Sequence, residues 1–331
     1  MTLREQTENI EKSILSEYAC LSTNPKMTVR NYNEEKCPYR TDFQRDRDRI
    51  LHCKAFLRLK QKTQVFLSPT GDHYRTRLTH TLEVAQIART ISRCMRLNED
   101  LTEAIALGHD LGHSPFGHCG EAVLNEICPH GFKHYLHSVR VSEVLENDGK
   151  GLNLTFAVKN GIECHTNRVS ETKEGNIVRL ADTIAYINHD IEDSIRAGLL
   201  TENDLPKECT DVLGNSKSER ITTLVSSVIA NGYYTIDFES EIRTAHDKLK
   251  DFIFENIYTN HSAKHEDKKA EVLVEKLYSY FKKHTDRLPE EHRRIMELSD
   301  SDRAVCDYIA GMTDQYAIDL YKEIFIPKSW K

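Results

Sequence analysis

The stretch ALGHDLGHSPFGHCGE, residues 106–121, decides how this chain is interpreted. His109 and Asp110 are adjacent, and an imidazole nitrogen and a carboxylate oxygen from neighbouring residues can reach one divalent ion. Further acid–base side chains follow in the same stretch: His113, His118 and Glu121. Residues 108–120 also hold four of the 14 glycines, which favours a backbone folded closely around a ligand over a solvated loop.

Segments on either side of this stretch complete a pattern. His80 lies upstream in RLTH and Asp182 lies downstream in LAD, which gives the order H, HD, D. Three longer segments are also distinctive: FQRDRDRILHCKAFLRLKQKTQVF (43–66), DTIAYINHDIEDSIRAG (182–198) and DYIAGMTDQYA (307–317). With these features the chain resembles the HD-domain metal-dependent phosphohydrolases, and among them the deoxynucleoside triphosphate triphosphohydrolases, or dGTPase-like family. The resemblance covers roughly residues 38–325.

The spacing of apolar residues predicts helices along the chain. The run at 42–59 is amphipathic, and residues 98–110 and 176–197 carry apolar side chains every three or four positions. A turn is expected at 68–72, where Pro and Gly cluster. Because no series of strands is evident, we predict an all-α fold with an HD-domain helical core and a C-terminal helical lobe.

Chain length and the position of a candidate linker segment give the expected domain organisation. A chain of 331 residues can bury one large core or two modest ones. We expect an N-terminal extension at 1–40, an HD catalytic core at 41–200 and a C-terminal helical lobe packing on the core at 201–331. Residues 206–219 are the best candidate for a linker.

Composition limits the choice of partners. The formal net charge of −7 gives no general affinity for nucleic acid or membranes, so a polyanionic substrate needs a local basic pocket. Four side chains are candidates for that pocket: Lys60, Lys62, Arg75 and Arg77. We interpret the arginines near residues 45–49 as a salt-bridged face, so nucleic acid is possible but not favoured.

Location is inferred from the cysteines and the amino terminus. Nine cysteines without a C-x-x-C pair fit a reducing compartment better than a disulfide framework. The first 20 residues are polar, unlike a signal peptide, and no run of apolar residues is long enough to span a membrane. We therefore expect a soluble cytoplasmic protein that does not interact with membranes.

The resemblance implies a metal site and a reaction. The implied ligands are His80, His109, Asp110 and Asp182, which leave positions on a six-coordinate ion for water and a phosphate oxygen. Because Cys119 and Cys164 lack the spacing of a structural zinc site, we expect Mn, Fe, Mg or Co. The implied reaction is hydrolysis of a deoxynucleoside triphosphate at the α-phosphorus, which releases deoxynucleoside and triphosphate.

The resemblance also implies roles around the phosphates and the sugar. His118 matches the histidine that protonates the leaving 5′-oxygen, with Glu121 placed to orient it, and His113 matches a contact to the α-phosphate. Arg77 matches a phosphate-binding arginine. Tyr186 and Asp190 match residues beneath the deoxyribose, where a crowded tyrosine disfavours a 2′-hydroxyl. Asp193, on the same face, is expected to be solvated.

One segment departs from the family pattern. His134 matches a family histidine that belongs to a second acid–base relay, but Tyr135 and His137 do not match their positions. A catalytic role for His134 is therefore left open. His165 resembles a family histidine as well, and the sequence assigns it no role.

Two other functions remain open at this point. One is an HD phosphodiesterase or pyrophosphohydrolase that acts on a cyclic nucleotide, a nucleoside monophosphate or a guanosine alarmone. The other is a catalytically silent nucleotide sensor or nucleic-acid-binding scaffold. The resemblance further implies a homo-oligomer, a hexamer or tetramer, and a dNTP as a possible activator, whereas base preference cannot be read from the sequence.

Overall fold

The structure is a computed structural model that describes residues 1–64, 75–258 and 261–328. Within these ranges the chain forms sixteen α-helices and no β-strand, which confirms the all-α prediction. The helices are α1 Leu3–Ile14, α2 Asp42–His52, α3 Lys54–Arg58, α4 Arg77–Cys94, α5 Glu99–Gly108, α6 Gly117–Ile127, α7 His134–Arg140, α8 Phe156–Cys164, α9 Lys173–Arg196, α10 Lys207–Leu213, α11 Lys217–Asn231, α12 Ser240–Ile253, α13 His261–Lys283, α14 Glu290–Leu298, α15 Ser301–Ala310 and α16 Asp314–Phe325. The turn expected at 68–72 lies outside the described residues.

Short helical turns extend or connect several of these helices. Single 3₁₀ turns occur at Leu59–Gln61, Asn147–Gly149, Glu202–Asp204 and Thr285–Arg287, and π-helical turns at Val141–Leu145 and Phe254–Tyr258. Across the described part of the chain, no helix has the length and apolar character needed to cross a membrane.

The expectation of a linker at 206–219 is wrong. Helix α10 occupies half of this segment, and its Cys209 and Leu213, one turn apart, are fully buried. Gly214, with a φ of 110°, ends α10. The side chain of Ser216 then begins α11 by accepting a hydrogen bond from the backbone N–H of Glu219. The segment is mostly polar, so its sequence did not predict a helix. Burial of one face of α10 against the rest of the protein stabilises that helix.

The described residues divide into two compact units, and each unit is discontinuous in sequence. Unit 1 comprises Met1–His52, Thr79–His109 and Asn153–Asn260. Unit 2 comprises Cys53–Leu78, Asp110–Leu152 and His261–Lys331. The division between His109 and Asp110 falls inside the decisive stretch. The expected boundaries near residues 40 and 200 stay a prediction.

In unit 1, the close packing of α5 against α8 positions two histidines. A Cβ atom at Gly161 would lie 2.4 Å from Ile105 Cδ1, and one at Gly108 would lie 2.6 Å from Ile162 Cδ1. These glycines therefore let the two helices approach more closely than alanines would allow. Each helix ends at a histidine, so His109 and His165 lie side by side, with ring centroids 5.0 Å apart.

A buried ion pair stabilises the start of unit 1. Asp46 on α2 is fully buried and accepts hydrogen bonds from Arg30 and from both the backbone and the hydroxyl of Thr155. The neighbouring arginines are also paired, Arg47 with Asp100 and Arg49 with Glu34. The arginine-rich run is thus a salt-bridged face, as the sequence analysis interpreted it.

In unit 2, buried polar side chains hold the loop before α6. Phe116 adopts a left-handed conformation (φ 62°), and its N–H donates to Asp314, which also accepts from Thr63. Lys62 donates to the carbonyls of Ala310 and His113. The loop that carries His113 is therefore fixed by α15 and α16, which pack with α6 and α13 around a common apolar core.

The two aspartates of the run at 45–49 differ in burial, which makes a matched test. Asp46→Ala removes the acceptor of the buried Thr155 N–H and hydroxyl and one of three carboxylates that face Arg30, and we expect a loss of about 2–4 kcal/mol in the free energy of unfolding. Asp48→Ala removes the partly exposed pair with Arg40 and should cost about 1 kcal/mol or less. Urea unfolding followed by circular dichroism measures both. Equal losses would show that Asp46 has no special structural role.

Candidate active site

Unit 1 brings together a cluster of three histidines and one aspartate, which we call the histidine–aspartate cluster: His80, His109, His165 and Asp182. His80 projects from α4 and is almost completely buried. Asp182 lies in the middle of α9, and its Oδ1 is 3.0 Å from His80 Nε2 and 3.9 Å from His109 Nε2. Three of the four ligands inferred from sequence therefore meet within this unit, together with His165.

Hydrogen bonds within the helices fix the tautomers of two of these histidines. Nδ1 of His109 lies 2.7 Å from the carbonyl of Ala106, and Nδ1 of His165 lies 2.7 Å from that of Ile162. A carbonyl oxygen only accepts, so in each ring Nδ1 carries the proton. The other nitrogen, Nε2, then keeps the lone pair that a metal requires.

The charges in this cluster favour an ionised carboxylate. Burial opposes ionisation of Asp182, but the hydrogen bond with His80 and the nearby imidazoles of His109 and His165 hold its pKa well below the usual range. One donor atom each from His109, His165 and Asp182 lie within 4.8 Å of one another. Neutral imidazole lone pairs around an anionic oxygen fit a divalent cation.

Unit 2 holds a second group of titratable side chains, the imidazole–carboxylate cluster: His113, His118, Glu121 and His134. Glu121 Oε2 lies 2.7 Å from His134 Nδ1 and 4.0 Å from His118 Nδ1. The rings of His113 and His134 stack with centroids 4.8 Å apart. Glu121 thus pairs with His134 at 2.7 Å, and the orientation of His118 by Glu121 stays a prediction.

His118 and His134 differ in exposure. The side chain of His118 is 55% exposed, whereas that of His134 is buried against Glu121. Partial burial together with the positive charge of Arg77 lowers the pKa of His118 below its usual range. This shift in pKa favours the neutral form of the His118 imidazole.

Arg77 in unit 2 is a buried cation, and part of its guanidinium donates no hydrogen bond within the described residues. Its Nη1 donates to Asp110 Oδ2 at 2.7 Å, but its Nε and Nη2 are buried and have no hydrogen-bond partner among the described residues. These two nitrogens form one edge of the planar guanidinium, which suits two oxygens of a phosphate. An unpaired buried donor costs about 1–3 kcal/mol, so this edge indicates an anionic ligand.

The other residues of the expected basic pocket differ from Arg77. Lys60 is exposed, and Arg75 is half-buried. Lys62 is buried with its ammonium group occupied by two carbonyl oxygens, and burial lowers its pKa to about 7. Lys62 thus fixes the loop that carries His113, and its place in a substrate pocket stays a prediction.

Helix α9 carries the residues expected at the sugar. Tyr186 is half-buried and Asp190 is fully buried, one and two turns beyond Asp182. Asp193, expected in solvent, is buried and accepts a hydrogen bond from Arg196 at 2.7 Å, so that expectation is wrong. A polar helix face is exposed to solvent only where no other element of the protein packs against it.

Two residues next to the histidine–aspartate cluster, Glu83 and His189, were not predicted as site residues from the sequence. His189 on α9 lies 3.3 Å from His80, Nδ1 to Nδ1, and its Nε2 contacts the carboxylate of Glu83. Helical spacing could have indicated them, because Glu83 follows His80 by three residues and His189 follows Asp182 by seven.

His137, at a position that departs from the family, is buried beside Phe132 and lies 3.7 Å from Asp307.

Comparison with known proteins agrees with this arrangement. An HD domain matches residues 77–187, and a phosphohydrolase-associated domain matches residues 236–323. A deoxyguanosinetriphosphate triphosphohydrolase-like protein of Caldanaerobacter subterraneus subsp. tengcongensis is 56% identical, over 100% of this chain and 98% of the relative. Proteins with the same description from Clostridium perfringens (strain SM101 / Type A) and Geobacter sulfurreducens are 49% and 38% identical, each over 99% of both chains.

The unpaired edge of Arg77 predicts anion binding that depends on the shape of the cation. Arg77→Lys keeps a charge beside Asp110 but removes the fork, so binding of inorganic triphosphate should weaken about tenfold or more, since a hydrogen bond to a charged group contributes about 1.5–3 kcal/mol. Arg89→Lys, at an ion-paired and partly exposed arginine of the same helix, is the control. Isothermal titration calorimetry measures both. Undiminished affinity in Arg77→Lys would exclude Arg77 as an anion contact.

Proposed function

Because the chain belongs to the deoxyguanosinetriphosphate triphosphohydrolase-like family of HD-domain proteins, we propose that it hydrolyses deoxynucleoside triphosphates, dGTP or several dNTPs, at the α-phosphorus. The products are deoxynucleoside and intact triphosphate. That the chain is a phosphohydrolase follows from the family itself. The observation that supports a polyphosphate substrate is the buried edge of Arg77, whose Nε and Nη2 lack partners among the described residues.

We assign the divalent ion to His80, His109 and Asp182, with Asp110 as the fourth ligand because the chain joins it directly to His109. The lone pairs of the two imidazoles and the ionised carboxylates are the ligand types that Mn, Fe, Mg or Co accepts. When bound, such an ion would polarise a phosphoryl oxygen and favour ionisation of the attacking water.

The residues of the imidazole–carboxylate cluster supply the proton that the departing 5′-oxygen needs. His118 is the proposed donor to the departing 5′-oxygen. Burial and the positive charge of Arg77 lower its pKa to about 4, and the negative charge of a triphosphate would raise that pKa, which favours the protonated form once substrate is present. Glu121 and His134 complete the proposed catalytic set, and their hydrogen bond fixes the carboxylate 4.0 Å from His118 Nδ1.

Phosphate and sugar contacts are assigned to residues outside the ligand set. Arg77 binds phosphate oxygens through its free edge, and His113, whose Nε2 is buried and unpaired among the described residues, contacts the α-phosphate. Tyr186 and Asp190 hold the deoxyribose, with Asp190 accepting a hydrogen bond from the 3′-hydroxyl. Crowding by Tyr186 excludes a 2′-hydroxyl.

Assembly and location complete the proposal. The chain is assigned to a homo-oligomer, a hexamer or tetramer, in which a second dNTP can act as activator. All nine cysteines are free thiols, which supports a reducing, cytoplasmic setting.

Product analysis tests the reaction and its proton donor together. Hydrolysis of the four dNTPs in ¹⁸O-labelled water should give deoxynucleoside and labelled triphosphate, because attack occurs at the α-phosphorus. His118→Ala should retain metal and lose on the order of 10²- to 10⁴-fold in rate. His130→Ala, at an exposed histidine paired with Asp300, is the control and should keep the parent rate. Label in orthophosphate or pyrophosphate, or an unchanged rate in His118→Ala, would contradict the mechanism.

The sugar contacts predict discrimination against ribonucleotides. The parent protein should hydrolyse dGTP with a much higher kcat/KM than GTP, since Tyr186 leaves no room for a 2′-hydroxyl. Asp190→Asn should weaken dGTP more than 2′,3′-dideoxy-GTP, because only dGTP donates a 3′-hydroxyl to the carboxylate. Steady-state kinetics with the three nucleotides measure both effects, and equal values for GTP and dGTP would rule out the proposed sugar site.

A further inference from the structure

Two further side chains of unit 1, His189 and Glu83, extend the series of contacts that begins at Asp182 and His80. His80 Nε2 faces Asp182 Oδ1 at 3.0 Å, and its other nitrogen, Nδ1, lies 3.3 Å from His189 Nδ1. His189 Nε2 in turn contacts the carboxylate of Glu83. The rings of His80 and His189 are nearly perpendicular, at 81°, with centroids 5.3 Å apart. These contacts form a continuous relay from the carboxylate of Glu83 to that of Asp182.

The chemistry of Glu83 fixes the protons along this relay. An ionised carboxylate only accepts hydrogen bonds, so His189 must donate from Nε2. A neutral His189 then has its lone pair on Nδ1, which obliges His80 to donate from its own Nδ1. The lone pair of His80 is therefore on Nε2 and faces an anionic oxygen of Asp182. These two atoms, 3.0 Å apart, must share a proton or a metal ion, and a divalent ion would displace the proton of the hydrogen bond between them.

We propose that Glu83 and His189 are a positioning pair that holds His80 in the tautomer and orientation needed to bind the divalent ion, and that makes its Nε2 a stronger donor. This inference rests on the metal site of the proposed function and adds two residues to it. Neither residue belongs to the ligand or substrate-binding sets of the proposed function, and both act through His80.

Burial and charge support the assignment. His189 is completely buried, whereas the side chain of Glu83 is 35% exposed, so the anionic end of the relay lies toward solvent. Lys217 lies 3.7 Å from Glu83 and 3.0 Å from Glu192, so a positive charge accompanies both carboxylates. Glu192 shares the lysine but has no part in the relay, so it provides a matched control for Glu83.

The test is the affinity of the chelator-treated protein for Mn²⁺, measured by isothermal titration calorimetry without nucleotide. His189→Ala should raise the dissociation constant about 10- to 100-fold, as loss of an outer hydrogen-bond partner does at other metal sites. His189→Asn, which can place an amide oxygen near the position of Nδ1, should recover part of that loss. Glu83→Gln should weaken binding as well, whereas Glu192→Gln should bind as the parent does.

Other readouts separate the possible failures. A purely structural role for His189 would lower the melting temperature of the metal-free protein and leave the Mn²⁺ affinity unchanged. Parent-like affinity in both His189→Ala and Glu83→Gln overturns the positioning pair. If His189→Ala does not fold, the partly exposed Glu83→Gln decides the matter alone. Turnover of dNTPs by the parent is scored separately, so a protein that binds Mn²⁺ without hydrolysing dNTPs contradicts the proposed function only. A parent that binds no divalent ion overturns both.

Discussion

A hydrogen bond inside α5, from His109 Nδ1 to the carbonyl of Ala106, is the interaction on which the histidine–aspartate cluster depends. It sets the tautomer of His109 and directs Nε2 toward Asp182. Helix α8 repeats the arrangement at His165, and the glycines at 108 and 161 allow the two helix ends to meet. Because each helix satisfies Nδ1 with its own backbone, no other side chain is needed to orient these rings, and the interior is left for the carboxylate and the ion.

Buried polar groups in this chain fall into two kinds. Asp46, Lys62 and Asp314 are buried with their hydrogen bonds made inside their own units, so their contribution is to stability. Arg77 is buried with one edge unpaired among the described residues. Since burying an unsatisfied donor costs free energy, such a group is retained where a ligand provides the missing acceptors. This contrast separates structural charges from functional ones more clearly than residue type does.

The segment that departs from the family pattern keeps the contact that matters most for the proposed reaction. His134 retains a carboxylate partner in Glu121, although Tyr135 and His137 differ from the family residues. His137 points into the core of unit 2 beside Phe132, where burial lowers its pKa well below the usual range, so it replaces a polar family residue without adding an acid–base group to the cluster. His134 therefore pairs with Glu121 although its neighbours differ from the family pattern.

The helical fold and the order of the H, HD and D segments can be read from the amino-acid sequence alone, because helical periodicity and short motifs are local properties. The long apolar stripe of α9 and the cap at Asn98 are readable for the same reason. The partner of Glu121, the burial of Asp193, and the meeting of His165 with Asp182 were decided only by the tertiary structure. Glu83 and His189 are 106 residues apart and meet through the packing of α4 on α9. Such contacts depend on which helix faces pack together, which no local pattern of residues specifies.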